Sequence, residues 1–299
     1  MADTAFIDKI KGALFGLAIG DALGAATEFM TPEEIRMKYG YLTEMTAKHP
    51  WNKGETTDDT AMTLAVARGI LDDAEDPIPC IGERLLQWAE THPKDVGITI
   101  RATFRAYRGD WFATAEQVHN ELDGKSAGNG SLMRCLPIAL VYDDMDTIAW
   151  YTRLQSTMTH FDEEATKACL LYNRIAYRVL NGEDLHRTIL DEIAGTAYTS
   201  VGSQKPDCVP DGYVVHTLTW VLWILLNYES YEEVVQIATN AGYDSDTVAA
   251  IAGGLAGLQC GFEALPKNYV QDLIDVDEID EVCLRLTDLR RILKERAQK

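Results

Sequence analysis

Apolar positions recur at intervals of three and four along most of the chain, and no segment alternates convincingly with a period of two. That spacing predicts helices over 6–29, 61–71, 81–91, 97–107, 132–141, 148–158, 163–180, 185–197, 214–226, 231–238, 247–258 and 280–296. Ala, Leu, Met, Glu, Arg and Lys fill these segments, and such residues lose little rotamer freedom in a helix. No linker rich in Pro, Gly or Ser divides the chain, so 1–299 is expected to form one all-α domain, an orthogonal bundle of helices. The stretch 199–212, with Pro206 and Pro210, is a long loop and a candidate lid or pocket wall.

Two of the predicted helices carry glycine where helices normally avoid it. Gly12, Gly16, Gly20 and Gly24 recur every fourth residue in the first, and Ala249, Gly253, Gly257 and Gly261 form a similar ridge late in the chain. Each glycine costs roughly 1 kcal/mol against alanine, so a ridge of four needs a compensating gain. Close approach of another backbone is the obvious one, which predicts two small-faced helices buried at the centre of the bundle. Membrane helix pairs use the same spacing, but Asp21 and Glu28 inside the first segment argue against that reading.

Composition narrows the partners. Hydrophobic residues make up 46% and charged residues 25%, an ordinary globular balance that argues against disorder, and the chain is long enough to bury a core without staples. Acids outnumber bases 47 to 27, and the net charge of -20 disfavours nucleic acid and anionic membranes as partners. An anionic ligand would need a local device, such as a metal ion or a helix N-terminus. MADTAFIDKIKG lacks the basic-then-apolar form of a secretory signal, and the run 214–226 is short and interrupted by His216, Thr217 and Thr219. The six cysteines show no CxxC pair, which suits free thiols in a reducing compartment; a cytoplasmic protein is expected.

Acidic clusters flank the two glycine helices. Glu28 follows Asp21 by seven residues and so lies near the same helix face. Glu55-Thr56-Thr57-Asp58-Asp59-Thr60 precedes one apolar run, and Asp244-Ser245-Asp246-Thr247 precedes another. Helix N-capping accounts for either motif alone, but a cap needs only one such oxygen. If the ridges bring these helices together, Glu28, Asp58, Asp59, Asp244 and Asp246 converge, and unpaired buried charges cost several kcal/mol each. One or two hard divalent cations would relieve that cost, and oxygen-only ligands select Mg²⁺, Mn²⁺ or Ca²⁺ over zinc or copper. A pair of cations about 3.5–4 Å apart could also bind substrate oxygens and activate water.

Other positions are compatible with a site but carry simpler explanations. Ser126-Ala127-Gly128-Asn129-Gly130-Ser131 could cradle phosphate at the start of the helix expected from Leu132, or be an ordinary turn. Asp95 precedes another helix as a possible cap, and His160 follows Thr159 at a helix end, where a structural role suffices. Tyr213 and Trp220 lie at a loop-to-helix transition. GLAIGDALGA lacks the preceding strand and spacing of a dinucleotide fingerprint.

The stretches GALFGLAIGDALGAATEF, GETTDDTAMTLA, PKDVGIT, AGNGSLMRCLPIAL, THFDEEA and NAGYDSDTVAAIAGGLAG span about 11–261 of the chain. In these the sequence resembles the ADP-ribosylglycohydrolases, in particular the bacterial dinitrogenase-reductase-activating branch. The resemblance implies an all-α single domain with a central metal cleft holding two divalent cations, Mg²⁺ or Mn²⁺. It implies Thr57, Asp58, Asp59, Asp244, Asp246 and Thr247 as metal ligands, and Glu28 and Asp95 as catalytic acids beside them. It further implies Asn129, Gly130 and Ser131 as a phosphate-holding loop, and His160 and Tyr213 along the ribose and adenine side. Ile98 stands where that branch tends to have Asn. The implied reaction is hydrolysis of the bond between ADP-ribose and a protein arginine, with the modified protein as substrate and ADP-ribose as product. Open alternatives are another ADP-ribose linkage (serine, acyl or nucleic-acid base), an all-α metal-dependent phosphohydrolase, or a binding protein that keeps the fold without the chemistry. An isoprenoid synthase would want DDxxD, and Met62 occupies the third position after Asp59.

Overall fold

Fifteen α-helices follow one another in the computed structural model, which describes residues 2–297, with side chains from residue 6 onward. They are α1 (Ala2–Gly24), α2 (Pro32–Tyr39), α3 (Asp58–Asp72), α4 (Pro77–Glu90), α5 (Ile98–Ala106), α6 (Trp111–Glu121), α7 (Leu136–Val141) and α8 (Met145–Thr157). Then come α9 (Glu163–Leu180), α10 (Leu185–Ile193), α11 (Val214–Asn227), α12 (Tyr231–Asn240), α13 (Ser245–Cys260), α14 (Lys267–Asp272) and α15 (Val276–Ala297). Among the described residues there is no strand, only isolated bridges at Lys48–Trp51 and Gly128–Tyr213. Among the described residues no helix is long and apolar enough to cross a membrane. The six cysteines are free thiols, and 199–212 is the expected loop.

The glycine ridges meet as expected. A Cβ on Gly12 would sit 2.2 Å from the Gly257 carbonyl oxygen, one on Gly16 2.4 Å from that of Gly253, and one on Gly20 2.1 Å from that of Ala249. A Cβ on Gly24 would lie 2.4 Å from the Cα of Asp246. The rising numbers of one helix against the falling numbers of the other make α1 and α13 an antiparallel, backbone-close pair. The phenol of Tyr231 on α12 donates to the Gly16 carbonyl at 2.7 Å and closes the groove from the side. This pairing sets the site: it brings the end of α1 to the start of α13, so Glu28 and the Asp244–Asp246 motif become neighbours. Gly16→Ala is accordingly expected to destabilise the fold by about 3 kcal/mol, because the clash is with backbone on both sides. Thermal unfolding would show it as a fall of roughly 5 °C with little change in helical content.

The pattern misplaced some boundaries. α1 stops at Gly24 rather than at Phe29; Thr27 ends it by bonding the Gly24 and Thr239 carbonyls and Ser245 Oγ. The segment 132–141 is not one helix. A single 3-10 turn, Asn129–Ser131, leads to α7, which begins one residue before Pro137, where the missing N–H is harmless. Three short helices, α2, α6 and α14, were not expected. α2 buries only Ile35 and owes its start to the Thr31–Glu34 capping box, while α6 starts from the Asp110 carboxylate.

Candidate active site

α3 reaches the centre because α1 caps it. The carboxylate of Asp21, fully buried, accepts from the Thr57 N–H at 3.0 Å, the Thr60 N–H at 3.0 Å and the Thr60 hydroxyl at 2.5 Å. Burial pushes Asp21 up to about 6, and these hydrogen bonds pull against it. Thr57 is the formal N-cap of α3, its hydroxyl facing the Asp59 N–H at 3.4 Å. With Asp21 and Thr57 satisfying the helix start, Asp58 and Asp59 are released from capping. Asp21 was not among the expected site residues; its one sequence signal is an acid on a glycine-ridged helix, seven residues before Glu28.

The released acids crowd together. Carboxylate oxygens of Glu28, Asp244 and Asp246 lie within 4.8 Å of one another. Thr247 Oγ1 sits between the two aspartate motifs, 3.3 Å from Asp59 Oδ2 and 3.2 Å from Asp244 Oδ1. Asp59 Oδ1 and Asp246 Oδ1 are buried without any hydrogen-bond partner. Burial, then mutual repulsion, pushes Asp58, Asp59 and Asp246 well above the carboxylate range. Burial and then the charge of Asp95 push Glu28 up to about 8, while Asp244 is held near 6. The Lys48 ammonium donates to the Glu28 carbonyl, not to a carboxylate. Two orphaned buried carboxylate oxygens, an ion-sized carboxylate trio and an all-oxygen donor set fit a hard divalent cation. Glu28, expected as a catalytic acid beside the metals, belongs geometrically to the trio itself.

Backbone strain fixes two of these carboxylates. Phe29 and Tyr243, the residues after Glu28 and before Asp244, adopt left-handed backbone at φ 59° and 56°. Each donates its N–H across the gap, Phe29 to the Tyr243 carbonyl at 2.6 Å and Tyr243 to the Met30 carbonyl at 2.7 Å. Such conformations cost about 1–3 kcal/mol each and persist where the surroundings over-determine them. Neither residue is glycine, so nothing in the sequence announces the pair.

Beside the cluster opens a cleft of about 1050 Å³. Glu28, Asp58, Asp95, Asn129, Gly130, His160, Tyr213, Asp244, Asp246 and Thr247 all line it. Thr57 and Asp59 join the cluster but form no part of the wall. Ser131 does not fit its expected role: it points into the core, with Oγ 2.9 Å from Ser156 Oγ and 3.5 Å from Cys169 Sγ. The helix start expected to cradle phosphate is also absent, since only a 3-10 turn follows the loop. Asn129 Nδ2 donates to Asp244 Oδ2 at 2.5 Å and to Thr217 Oγ1 at 2.9 Å, so this side chain orients an acid of the cluster. Tyr213 donates its phenol to Glu164 Oε2 at 2.6 Å, tying the start of α11 to the start of α9 across the cleft, and that bond raises the phenol to about 12. Asp162, Glu164 and Asp211 also line the cleft and were not singled out from sequence, where each passes for an ordinary surface acid.

Known proteins resemble this arrangement over nearly the whole chain. The family model described as ADP-ribosylglycohydrolase matches residues 2–296. The chain is similar to ADP-ribosyl-[dinitrogen reductase] glycohydrolase of Rhodospirillum rubrum, with 32% identity covering 89% of this chain and 90% of the relative. It is also similar to ADP-ribosylarginine hydrolase Tri1 of Pseudomonas putida (strain GB-1), with 29% identity covering 94% and 78%. A solved structure titled "ADP-ribosylglycohydrolase-related protein complex" superposes with a TM-score of 0.83 at 28% identity, covering 96% of this chain and 99% of that one.

Proposed function

The chain belongs to the ADP-ribosylglycohydrolase family, and from that premise we propose that it hydrolyses the N-glycosidic bond between ADP-ribose and a protein arginine, using Mg²⁺ or Mn²⁺. The observation that carries the linkage is the excess of acid on the cleft wall: Asp95, Asp162, Glu164 and Asp211 line it beside the acidic cluster, against Arg101 and Lys125, and that excess suits a cationic guanidinium. The relative named for ADP-ribosylarginine supports the same choice of linkage, and the one named for ADP-ribosyl-[dinitrogen reductase] supports a modified protein as substrate.

Glu28, Asp58, Asp59, Asp244 and Asp246, with Thr57 and Thr247, would hold the cation or cations. Bound there, a divalent ion would neutralise the clustered charge and polarise substrate oxygens. The protein's own residues do the rest. Asn129 and Thr247 orient Asp244. The carboxylates facing the cleft stabilise positive charge that develops at the anomeric carbon as the bond to the guanidinium nitrogen breaks. Asp95 lines the cleft outside the carboxylate trio and is the group placed to move protons. Water supplies hydroxyl to the anomeric carbon and a proton to the departing nitrogen, giving ADP-ribose and unmodified arginine.

The test is incubation with ADP-ribosyl-arginine, ADP-ribosyl-serine and O-acetyl-ADP-ribose, each with Mn²⁺ or with EDTA. Mn²⁺-dependent release of ADP-ribose from the arginine conjugate is the expected result. Preferential cleavage of another conjugate would overturn the linkage, and full activity in EDTA would overturn the metal requirement.

A further inference from the structure

Arg134 is fully buried, yet it forms no ion pair among the described residues and its Nη1 has no hydrogen-bond partner. Its guanidinium donates to Gln155 Oε1 at 3.1 Å, to the Gln155 carbonyl at 2.9 Å and to Thr159 Oγ1 at 2.8 Å. Thr159 Oγ1 lies in turn 2.8 Å from His160 Nδ1. A guanidinium has donors only, so at Thr159 the hydroxyl oxygen accepts from Arg134. Among the described residues the hydroxyl proton has no acceptor other than His160 Nδ1, so the arrangement that leaves no proton of this buried hydroxyl unpartnered has Nδ1 as the bare, accepting nitrogen.

We infer that Arg134 and Thr159 are positioning residues that lock His160 in the tautomer protonated at Nε2, making it an obligate donor toward a substrate oxygen lying against the Gly128–Gly130 turn. The placement of that nitrogen supports this. A Cβ on Gly128 or Gly130 would come within 3.2 and 3.3 Å of Nε2, so the two glycines are what let the imidazole lie against the turn. His160 lines the cleft, and Nε2 makes no hydrogen bond to protein among the described residues. Burial and the nearby Arg134 charge also hold the ring neutral, pulling it down to about 3. A neutral ring with its acceptor occupied can read only an acceptor: a phosphate, hydroxyl or carbonyl oxygen. That ligand identity rests on the proposed function; the tautomer does not.

The first measurement is ¹⁵N NMR of histidine-labelled full-length protein at neutral pH in Mg²⁺ buffer, without substrate. His160 should show an unprotonated-type Nδ1 and a protonated-type Nε2; the reverse pattern, or a charged ring, overturns the proposal whatever the substrate. The second compares Thr159→Val, which keeps the shape and removes the hydroxyl, with Thr159→Ser, which keeps the hydroxyl. The valine variant should lose the fixed tautomer and weaken ADP-ribose binding by calorimetry about 10-fold, raising KM more than it lowers kcat. The serine variant should restore both readouts. Equal behaviour of the two variants in the tautomer spectrum would also overturn the proposal, while a wild-type protein with the expected tautomer but no affinity for ADP-ribose would count against the proposed function alone.

Discussion

Asp246→Asn is expected to move thermal stability in opposite directions according to the metal: up relative to the native chain in EDTA, down in Mn²⁺. Asp246 is fully buried among carboxylates, with Oδ1 unpartnered, and burial followed by the charges of Glu28, Asp59 and Asp244 raises its pKa well above the ordinary value. Without a cation, a neutral amide there removes repulsion; with one, it removes a ligand. Hydrolysis should fall by at least about 100-fold, since weaker perturbations of metal-site residues already cost 10–100-fold. The same cluster sets the pH dependence of the metal-free protein. Glu28 moves from 4.5 to about 8, and Asp21 and Asp244 from 3.8 to about 6, so the folded state binds these protons more tightly than the unfolded chain. Their stabilisation is complete below the ordinary carboxylate values and is lost as pH rises through about 6 and then about 8. In EDTA the melting temperature should therefore decline from about pH 5 to pH 8, and the decline should be shallower for Asp246→Asn and for the native chain in Mn²⁺. Melting curves that coincide with and without Mn²⁺ for both proteins would remove the cation from the account.

The features legible in the sequence were those enforced by local chemistry that repeats. Four glycines at every fourth position of α1 have no local justification, and the facing ridge on α13 supplies one; two motifs far apart in the chain could thus be placed together before any coordinates. The duplicated acid-and-threonine motifs were visible for the same reason, being too acidic for capping alone. What stayed hidden depends on tertiary context. Asp21 looked like an acid on a helix face, and only its contacts with Thr57 and Thr60 reveal it as the cap of α3. Ser131 read as part of a phosphate-holding loop, but its hydroxyl lies against Ser156 in the core. Arg134 passed as one of many helix-compatible bases, because burial without a counter-charge leaves no trace in composition. α2 escaped because a single apolar contact and a capping box replace the stripe that periodicity detects.

Asp95→Asn separates proton transfer from metal binding in a way that Asp246→Asn cannot. Asp95 precedes α5, lines the cleft, and accepts through Oδ1 from the Val96 N–H at 2.8 Å, which aims the carboxylate without using it as a ligand of the trio. Its charge is the largest cause, after burial, of the raised pKa of both Glu28 and Asp58, so it acts on the cluster electrostatically. A positioned general acid or base contributes roughly 10²–10⁴-fold, and kcat of the asparagine variant should fall by that factor with KM changed less than about threefold. The rise in melting temperature on adding Mn²⁺ should survive, whereas Asp246→Asn should abolish it. Glu28→Gln is expected to behave like the ligand variant, losing both activity and the Mn²⁺ response, because its carboxylate belongs to the trio. If Asp95→Asn also loses the Mn²⁺ response, Asp95 is a ligand and another group must carry the proton. If instead it keeps most of its kcat, the carboxylates of the cluster suffice and the cleft acid serves only to attract the guanidinium.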